Sequence, residues 1–157
     1  MDGGFVAVET GLLAQVPCKS FRQFVEMHET AVFTFCYRLL GSAAVAEDVA
    51  EAAFEEVYAR FPAVSLVDVL AAARRRCRQR RRERWAGPET AVADIQCLFN
   101  GLTVSECEVM ALRYGCRLNF EEIATVLGLS AEDVRATLRQ GRWRVANLEM
   151  ARLAGQN

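Results

Sequence analysis

Apolar residues recur at every third or fourth position along most of this 157-residue chain. This spacing places apolar side chains on one face of an α-helix, whereas β-strands need strict alternation. Prolines are few, and alternating β-branched runs are sparse. The pattern therefore predicts an all-α protein built from amphipathic helices.

The first apolar stripe ends at Gly41, a residue type that suits a helix C-terminus. It predicts one long helix or a closely stacked pair of helices. Its members are Phe21, Phe24, Val25, His28, Val32, Phe35, Cys36 and Leu39. Because His28 is the sole histidine and has no evident partner, we expect it to pack in the core.

Ser42 can cap a second helix, whose apolar face is formed by Val49, Ala50, Ala53, Phe54, Val57 and Phe61. Acidic residues gather on another side of this helix. They are Glu47, Asp48, Glu51 and Glu55. The helix macrodipole accounts for the first two but not for Glu55, which is far from the N-terminus. An acidic patch beside apolar groups is also suited to docking on a basic protein surface.

The third segment begins after Pro62 with Leu66, Leu70, Ala73 and Cys77 at helical spacing. It continues into RRRCRQRRRERW, with eight arginines between positions 74 and 84. Their mutual repulsion requires counterions or a polyanion. We expect a helix that is buried at its start and projects a basic rod at its end. A disordered basic arm or flexible linker is the alternative. The sequence AGP at 86–88 breaks the helix and marks a domain boundary.

Four helices are predicted beyond this boundary. A short one covers about Ala91 to Phe99, and Thr103 with Glu106 forms a capping box for the next, which Gly115 ends. The segment FEEIATVLGLSAEDVRATLRQGRWRV, residues 120–145, then reads as helix, turn and helix, with the turn at Gly128. Ser130 and Asp133 match a further capping box.

The last helix has a narrow core stripe made by Val134, Leu138, Gly141, Val145 and Leu148. Arg135, Arg139 and Arg142 fall together on its flank, within about 60° of helix surface. This arrangement suits a helix that reads duplex DNA in the major groove. An ordinary solvated arginine face is the alternative, but the turn and cap in front favour DNA contact.

The net charge of −1 is the sum of segments with opposite charges along the chain. Residues 1–64 carry −5, residues 65–87 carry +6 and residues 88–157 carry −2. Proteins that bind nucleic acid without sequence preference are usually basic overall, because phosphate neutralisation drives that binding. We expect weak DNA binding by the chain alone, with a partner supplying the remaining affinity.

The composition indicates the cellular compartment and argues against metal, cofactor and enzyme chemistry. No apolar run has the length of a membrane span, and the N-terminal residues lack the features of a secretory signal, so we expect a cytoplasmic protein. The six cysteines form no CxxC pair, and we expect reduced thiols, no metal and no cofactor. No phosphate-cradling glycine loop or nucleophile–base pair is evident, so an enzyme is not expected.

Two blocks carry a resemblance to a known family. FRQFVEMHETAVFTFCYRLLGSAAVAEDVAEAAFEEVYARF (21–61) and LTVSECEVMALRYGCRLNFEEIATVLGLSAEDVRATL (102–138) resemble, in this order and spacing, the two-domain extracytoplasmic-function sigma factors of bacterial RNA polymerase. The resemblance implies a polymerase-binding, minus-ten domain at 18–85, a linker at 86–91, and a minus-thirty-five domain with a helix-turn-helix at 92–154.

The resemblance also implies roles for residues. The residues implied to bind the clamp helices of the largest polymerase subunit are Asp48, Glu51, Phe54 and Glu55. Those implied to contact the minus-ten element are Arg74, Arg75, Arg78, Arg80 and Arg81. Those implied to contact the minus-thirty-five element are Ser130, Arg135, Thr137, Arg139, Arg142 and Arg144. The implied partners are core RNA polymerase, promoter DNA and an anti-sigma factor.

The chain departs from the family pattern in both N-terminal elements. Glu51, Ala52 and Ala53 stand where glutamine, glutamate and threonine are frequent, and Ala73 replaces an asparagine that serves at the minus-ten element. Leu66, Cys77 and Tyr58 also differ from the usual residues. These departures motivate an alternative, a sigma-like decoy or adaptor that binds an anti-sigma factor or polymerase without initiating transcription. A plain repressor or activator fits residues 101–140 but leaves the acidic helix and the arginine segment unexplained.

Overall fold

The computed structural model describes residues 18–84 and 101–155, and within these ranges the chain is helical and has no strand. The predicted all-α class is confirmed. The helices are α1 (Phe21–Leu40), α2 (Ala43–Tyr58), α3 (Leu66–Arg84), α4 (Val104–Met110), α5 (Phe120–Leu127) and α6 (Ala131–Ala154). A π-helical turn, Ala111–Gly115, continues α4.

Helices α1 to α3 form the N-terminal lobe, and local signals set their ends. Gly41 adopts the left-handed conformation at φ 70°, and its N–H donates to the Tyr37 carbonyl at 2.8 Å. Ser42 Oγ then accepts the Val45 N–H at 3.5 Å and caps α2. The predicted stop and cap are confirmed, and the first apolar stripe is a single helix rather than a stacked pair.

Helices α4 to α6 form the C-terminal lobe. The predicted Thr103–Glu106 capping box is present, and Gly128 ends α5 at φ 66°. Ser130 caps α6, but the Asp133 carboxylate accepts the Ser130 hydroxyl and not its backbone N–H, so only half of that predicted box forms. The helix predicted near Ala91 to Phe99 lies outside the described residues.

The two lobes share one continuous apolar core. Helix α3 packs against α1 and α2 on one side and against α5 on the other. This is possible because Leu70, Ala73 and Cys77 are fully buried, along with their neighbours Val69 and Ala72. Helix α3 is therefore not the projecting rod that its arginines predicted, because one of its sides packs against the C-terminal lobe.

His28 occupies the core position that its spacing predicted. It is buried, and its ring meets the Phe24 ring edge-on at 4.8 Å between centroids. Cys36, Cys77 and Cys116 are also buried as free thiols. Among the described helices, none combines the length and the apolar character that crossing a membrane requires.

Candidate protein-binding groove and nucleic-acid interface

An open groove of about 610 Å³ runs between α1 and α2. Its apolar surface comes from Phe21, Val25, Phe33 and Phe54, and its rim carries Glu29, Glu47, Glu51 and Glu55. On α1 the residues 21, 25, 29 and 33 share one face because they are four positions apart. The groove therefore combines an apolar floor with a rim of four carboxylates, and none of the described residues that line it is basic.

Three of the four residues predicted for protein binding line this groove: Glu51, Phe54 and Glu55. Phe54 is buried in its floor, while Asp48 is exposed on α2 and is not among the lining residues. The α1 residues Phe33 and Glu29 were not predicted. Their four-residue spacing from Phe21 and Val25 was visible in the sequence, but nothing there indicated that α1 would lie beside the acidic side of α2.

The helix-turn-helix presents its arginines as the sequence predicted. Arg135, Arg139 and Arg142 are exposed on α6, and Ser130 caps its N-terminus. The guanidinium carbon of Arg135 lies 4.9 Å from the centroid of the Phe120 ring. The guanidinium of Arg113 is also 4.9 Å from that ring, and its Nη1 donates to the Leu118 carbonyl at 2.9 Å. Phe120 was not predicted to take part in this surface.

Two other predicted residues of this helix have different environments. Thr137 is half-buried, and Arg144 Nε donates to Glu106 Oε1 at 2.9 Å. Glu106 is 2% exposed, and its Oε2 accepts the Thr103 N–H at 2.9 Å. Arg144 therefore connects α6 to the N-terminus of α4.

The α3 arginines have different environments. Arg75 and Arg76 both bind Glu56, with Arg76 Nε at 3.0 Å from Oε2. Partial burial raises the pKa of Glu56, but hydrogen bonds and charges from these two arginines outweigh it and hold the pKa below its ordinary value. Arg80 is exposed, whereas Arg81 is only 4% exposed.

Glu108 on α4 binds Arg74 and Arg78, the other two arginines that were predicted to contact the minus-ten element. Arg78 binds it in a bidentate manner, with Nε at 2.9 Å from Oε1 and Nη2 at 3.1 Å from Oε2. Arg74 Nε lies 3.3 Å from Oε2, an ion pair without hydrogen-bond geometry. The hydrogen bond to Glu108 raises the pKa of Arg78. No sequence signal marked Glu108, because its partners are 30 or more residues away.

Residues 98–146 match the family described as Sigma-70, region 4. The sigma factor RpoE in complex with the anti-sigma factor NepR from Bartonella quintana is similar, with a TM-score of 0.69 and 16% identity over 85% of this chain and 98% of that chain. CnrH in complex with the cytosolic domain of CnrY has a TM-score of 0.68 and 19% identity over 91% and 97%. At these identities the likeness shows a shared fold. No curated protein sequence matches the chain.

Proposed function

We propose that this chain acts as an extracytoplasmic-function sigma factor, because residues 98–146 match the Sigma-70, region 4 family and the chain shares the fold of a solved sigma factor. In this role it binds core RNA polymerase and directs it to promoters. Such a protein is a binding and specificity subunit, not an enzyme. The observation that carries the proposal is the acidic, apolar groove on the same chain as the helix-turn-helix.

The groove is proposed to bind the clamp helices of the polymerase largest subunit. Its rim offers Glu29, Glu47, Glu51 and Glu55, and its floor includes the buried ring of Phe54. Four carboxylates, with no basic side chain among the described lining residues, attract a positively charged segment, and apolar side chains of that segment can fill the floor. Asp48, exposed on the same helix, adds to the negative field outside the groove.

The C-terminal lobe is proposed to read the minus-thirty-five element. Arg135, Arg139 and Arg142 form the exposed stripe of α6 that would enter the major groove. Ser130 and Thr137 would contact the DNA near the start of the helix. Arg144 donates a hydrogen bond to Glu106 and would stabilise the position of the recognition helix. It would contact the DNA only at a phosphate.

Helix α3 is proposed to approach the minus-ten element. The density of arginines, and the exposure of Arg75 and Arg80, support this role. Arg74 and Arg78 are bound by Glu108 of the other lobe, and Arg81 is buried. Glu108 therefore competes with DNA phosphate for Arg74 and Arg78.

An anti-sigma factor is the further partner that we propose. Two solved proteins that share this fold are in complexes, RpoE with the anti-sigma factor NepR and CnrH with the cytosolic domain of CnrY. A partner of this kind could occupy the acidic groove in place of polymerase, since both would need a basic, partly apolar segment.

Gel filtration with bacterial core RNA polymerase tests the groove directly. The wild-type chain should co-elute with core polymerase, and the Glu51→Lys/Glu55→Lys variant should not, because two rim charges are reversed. Glu26→Lys is the control for reversing an exposed carboxylate of the same lobe, since Glu26 is exposed on α1 but does not line the groove. Equal co-elution of all three proteins would contradict the groove assignment.

A further inference from the structure

A second cavity, of about 410 Å³, lies between α1 and the connection from the π-helical turn to α5. On α1 it is lined by positions 27, 31 and 34, which share a helix face because they are three or four residues apart. Residues 115–118 line it from the connection. Sites that hold small molecules have volumes of about 300–1,000 Å³, so the cavity is large enough for a small ligand.

The lining of this cavity combines apolar surface with a few hydrogen-bonding groups, and none of its described members is acidic. This differs from the groove between α1 and α2, whose rim carries four carboxylates. A lining of this kind suits a ligand with an apolar body and one negatively charged end. The apolar side chains include Met27, Leu66 and Leu118, and the hydrogen-bonding side chains include His28, Thr34 and Arg117.

His28 is a buried polar side chain that makes no hydrogen bond within residues 18–84 and 101–155. It is 7% exposed, and its ring contacts the Phe24 ring edge-on. Burial lowers its pKa, so the imidazole is neutral at neutral pH and carries one N–H donor. Buried polar groups in native proteins are nearly always hydrogen-bonded. Because His28 lines the cavity, an acceptor atom of a ligand there would satisfy this donor.

Arg117 is presented to the cavity by a turn of fixed geometry. Its φ of 58° is left-handed, a conformation that side chains other than glycine rarely adopt. The residues on both sides of it are buried, and the Leu118 N–H donates to the Leu112 carbonyl at 3.1 Å. Arg117 is itself exposed and forms no ion pair with another described residue. Its guanidinium therefore remains available to an anion in the cavity.

We propose that this cavity binds a small monocarboxylic acid, with the carboxylate on Arg117 and His28 and the apolar chain against Met27, Leu66 and Leu118. A carboxylate matches the planar fork of one guanidinium and can also accept the His28 N–H. Arg117 is the single cationic side chain among the described lining residues, which suits a ligand with one negative charge better than a phosphate dianion. The site does not depend on the proposed role as a sigma factor.

Proton NMR of the untagged full chain, titrated with hexanoate, tests the site. His28 is the sole histidine of the sequence, so its ring signals report on this cavity. At about pH 7.5, where the imidazole is neutral, these signals should shift saturably with hexanoate. Hexan-1-ol, which lacks the carboxylate, should bind at least about tenfold more weakly. The absence of a saturable shift, or equal affinities for the acid and the alcohol, would overturn the proposal.

Replacing Arg117 by glycine separates loss of the site from loss of the fold. Glycine adopts a φ of 58° without strain, so Arg117→Gly should keep the helical circular dichroism of wild type. It should bind hexanoate at least about tenfold more weakly, because the charged donor is lost. Arg152→Gln is the control, since it removes the same charge from the exposed last turn of α6 and should bind hexanoate as wild type does.

Equal hexanoate affinities of Arg117→Gly and Arg152→Gln would overturn the carboxylate site. Arg117→Asn provides a second comparison, because asparagine also tolerates the left-handed conformation. It should lose affinity to the same extent as the glycine variant. If Arg117→Gly loses helicity, a folded Arg117→Asn variant that binds hexanoate as tightly as wild type would equally overturn the proposal.

Discussion

The guanidinium of Arg135 lies over the ring of Phe120, with 4.9 Å between its central carbon and the ring centroid. Arg135 is on the recognition helix and Phe120 begins the helix before it. A cation at this distance from an aromatic face is attracted by about 0.5–1 kcal/mol at an exposed site. The contact limits the orientations of a long side chain that is proposed to read DNA.

Replacing Phe120 should therefore weaken DNA binding through Arg135. Phe120→Leu should reduce affinity for a promoter duplex selected by the holoenzyme by about two- to fivefold, while Phe120→Tyr retains it. Anisotropy measurements on a double-mutant cycle provide the check, since Phe120→Leu should have little further effect when Arg135 is already alanine. Equal effects of Phe120→Leu in both backgrounds would show that the ring does not act through Arg135.

The exposed stripe of α6 should carry the affinity for the minus-thirty-five element. Arg135→Ala or Arg139→Ala should each weaken binding to the selected duplex by about 1–3 kcal/mol if the side chain contacts a base, and by less if it contacts phosphate only. Arg152→Ala is the control, because Arg152 is exposed in the last turn of the same helix. Unchanged binding in both variants would remove the recognition helix from the mechanism.

Asn119 should stabilise the C-terminal lobe as a helix cap. Its Oδ1 accepts the Glu122 N–H at 2.8 Å, and the Glu122 carboxylate accepts the Asn119 N–H at 2.9 Å. Asn119→Ala should lower the free energy of unfolding in urea by about 0.5–2 kcal/mol. Thr125→Ala, an exposed change on the same helix, should be neutral or slightly stabilising. Equal stability of the two variants would argue against the cap.

Burial lowers the pKa of His28 from its ordinary value of 6.5, so stability should fall in mild acid. As the pH drops through 6.5 the unfolded chain gains a proton that the folded chain does not, and the loss of stability continues until the lowered pKa is reached. Urea unfolding at about pH 7.5 and about pH 5.5 measures this loss. The His28→Leu substitution should reduce this loss of stability.

The titration of Glu56 does not contribute between these two pH values. Its pKa is lowered from 4.5, so its stabilising ion pairs are lost only in stronger acid. A pH effect of the same size in His28→Leu would assign it to other groups.

Sequence patterns predicted the helix caps and turns, because these features depend on residues that are close together along the chain. Gly41, Ser42, Gly128 and the Thr103–Glu106 box are short-range signals, and all appear in the structure. The Asn119–Glu122 box follows the same rule and could have been found from its spacing. These features are readable because each depends on backbone groups within three or four residues.

Contacts between distant parts of the chain were not predictable in this way. The partners of Glu108 and the α1 side of the groove depend on how helices pack, which residue spacing does not specify. The run of arginines in α3 predicts a projecting basic surface. Nothing in that run indicates that a buried carboxylate of the other lobe binds two of its side chains. Their actual environments ranged from exposed Arg80 to buried Arg81.

Run-off transcription with purified core RNA polymerase tests the central proposal most directly. On a library of genomic fragments, polymerase plus the wild-type chain should give transcripts whose start sites share two upstream elements, and polymerase alone should not. The Glu51→Lys/Glu55→Lys variant should give none, and Glu26→Lys should behave as wild type. Tight association with polymerase without specific transcripts would contradict a sigma factor and would support the decoy.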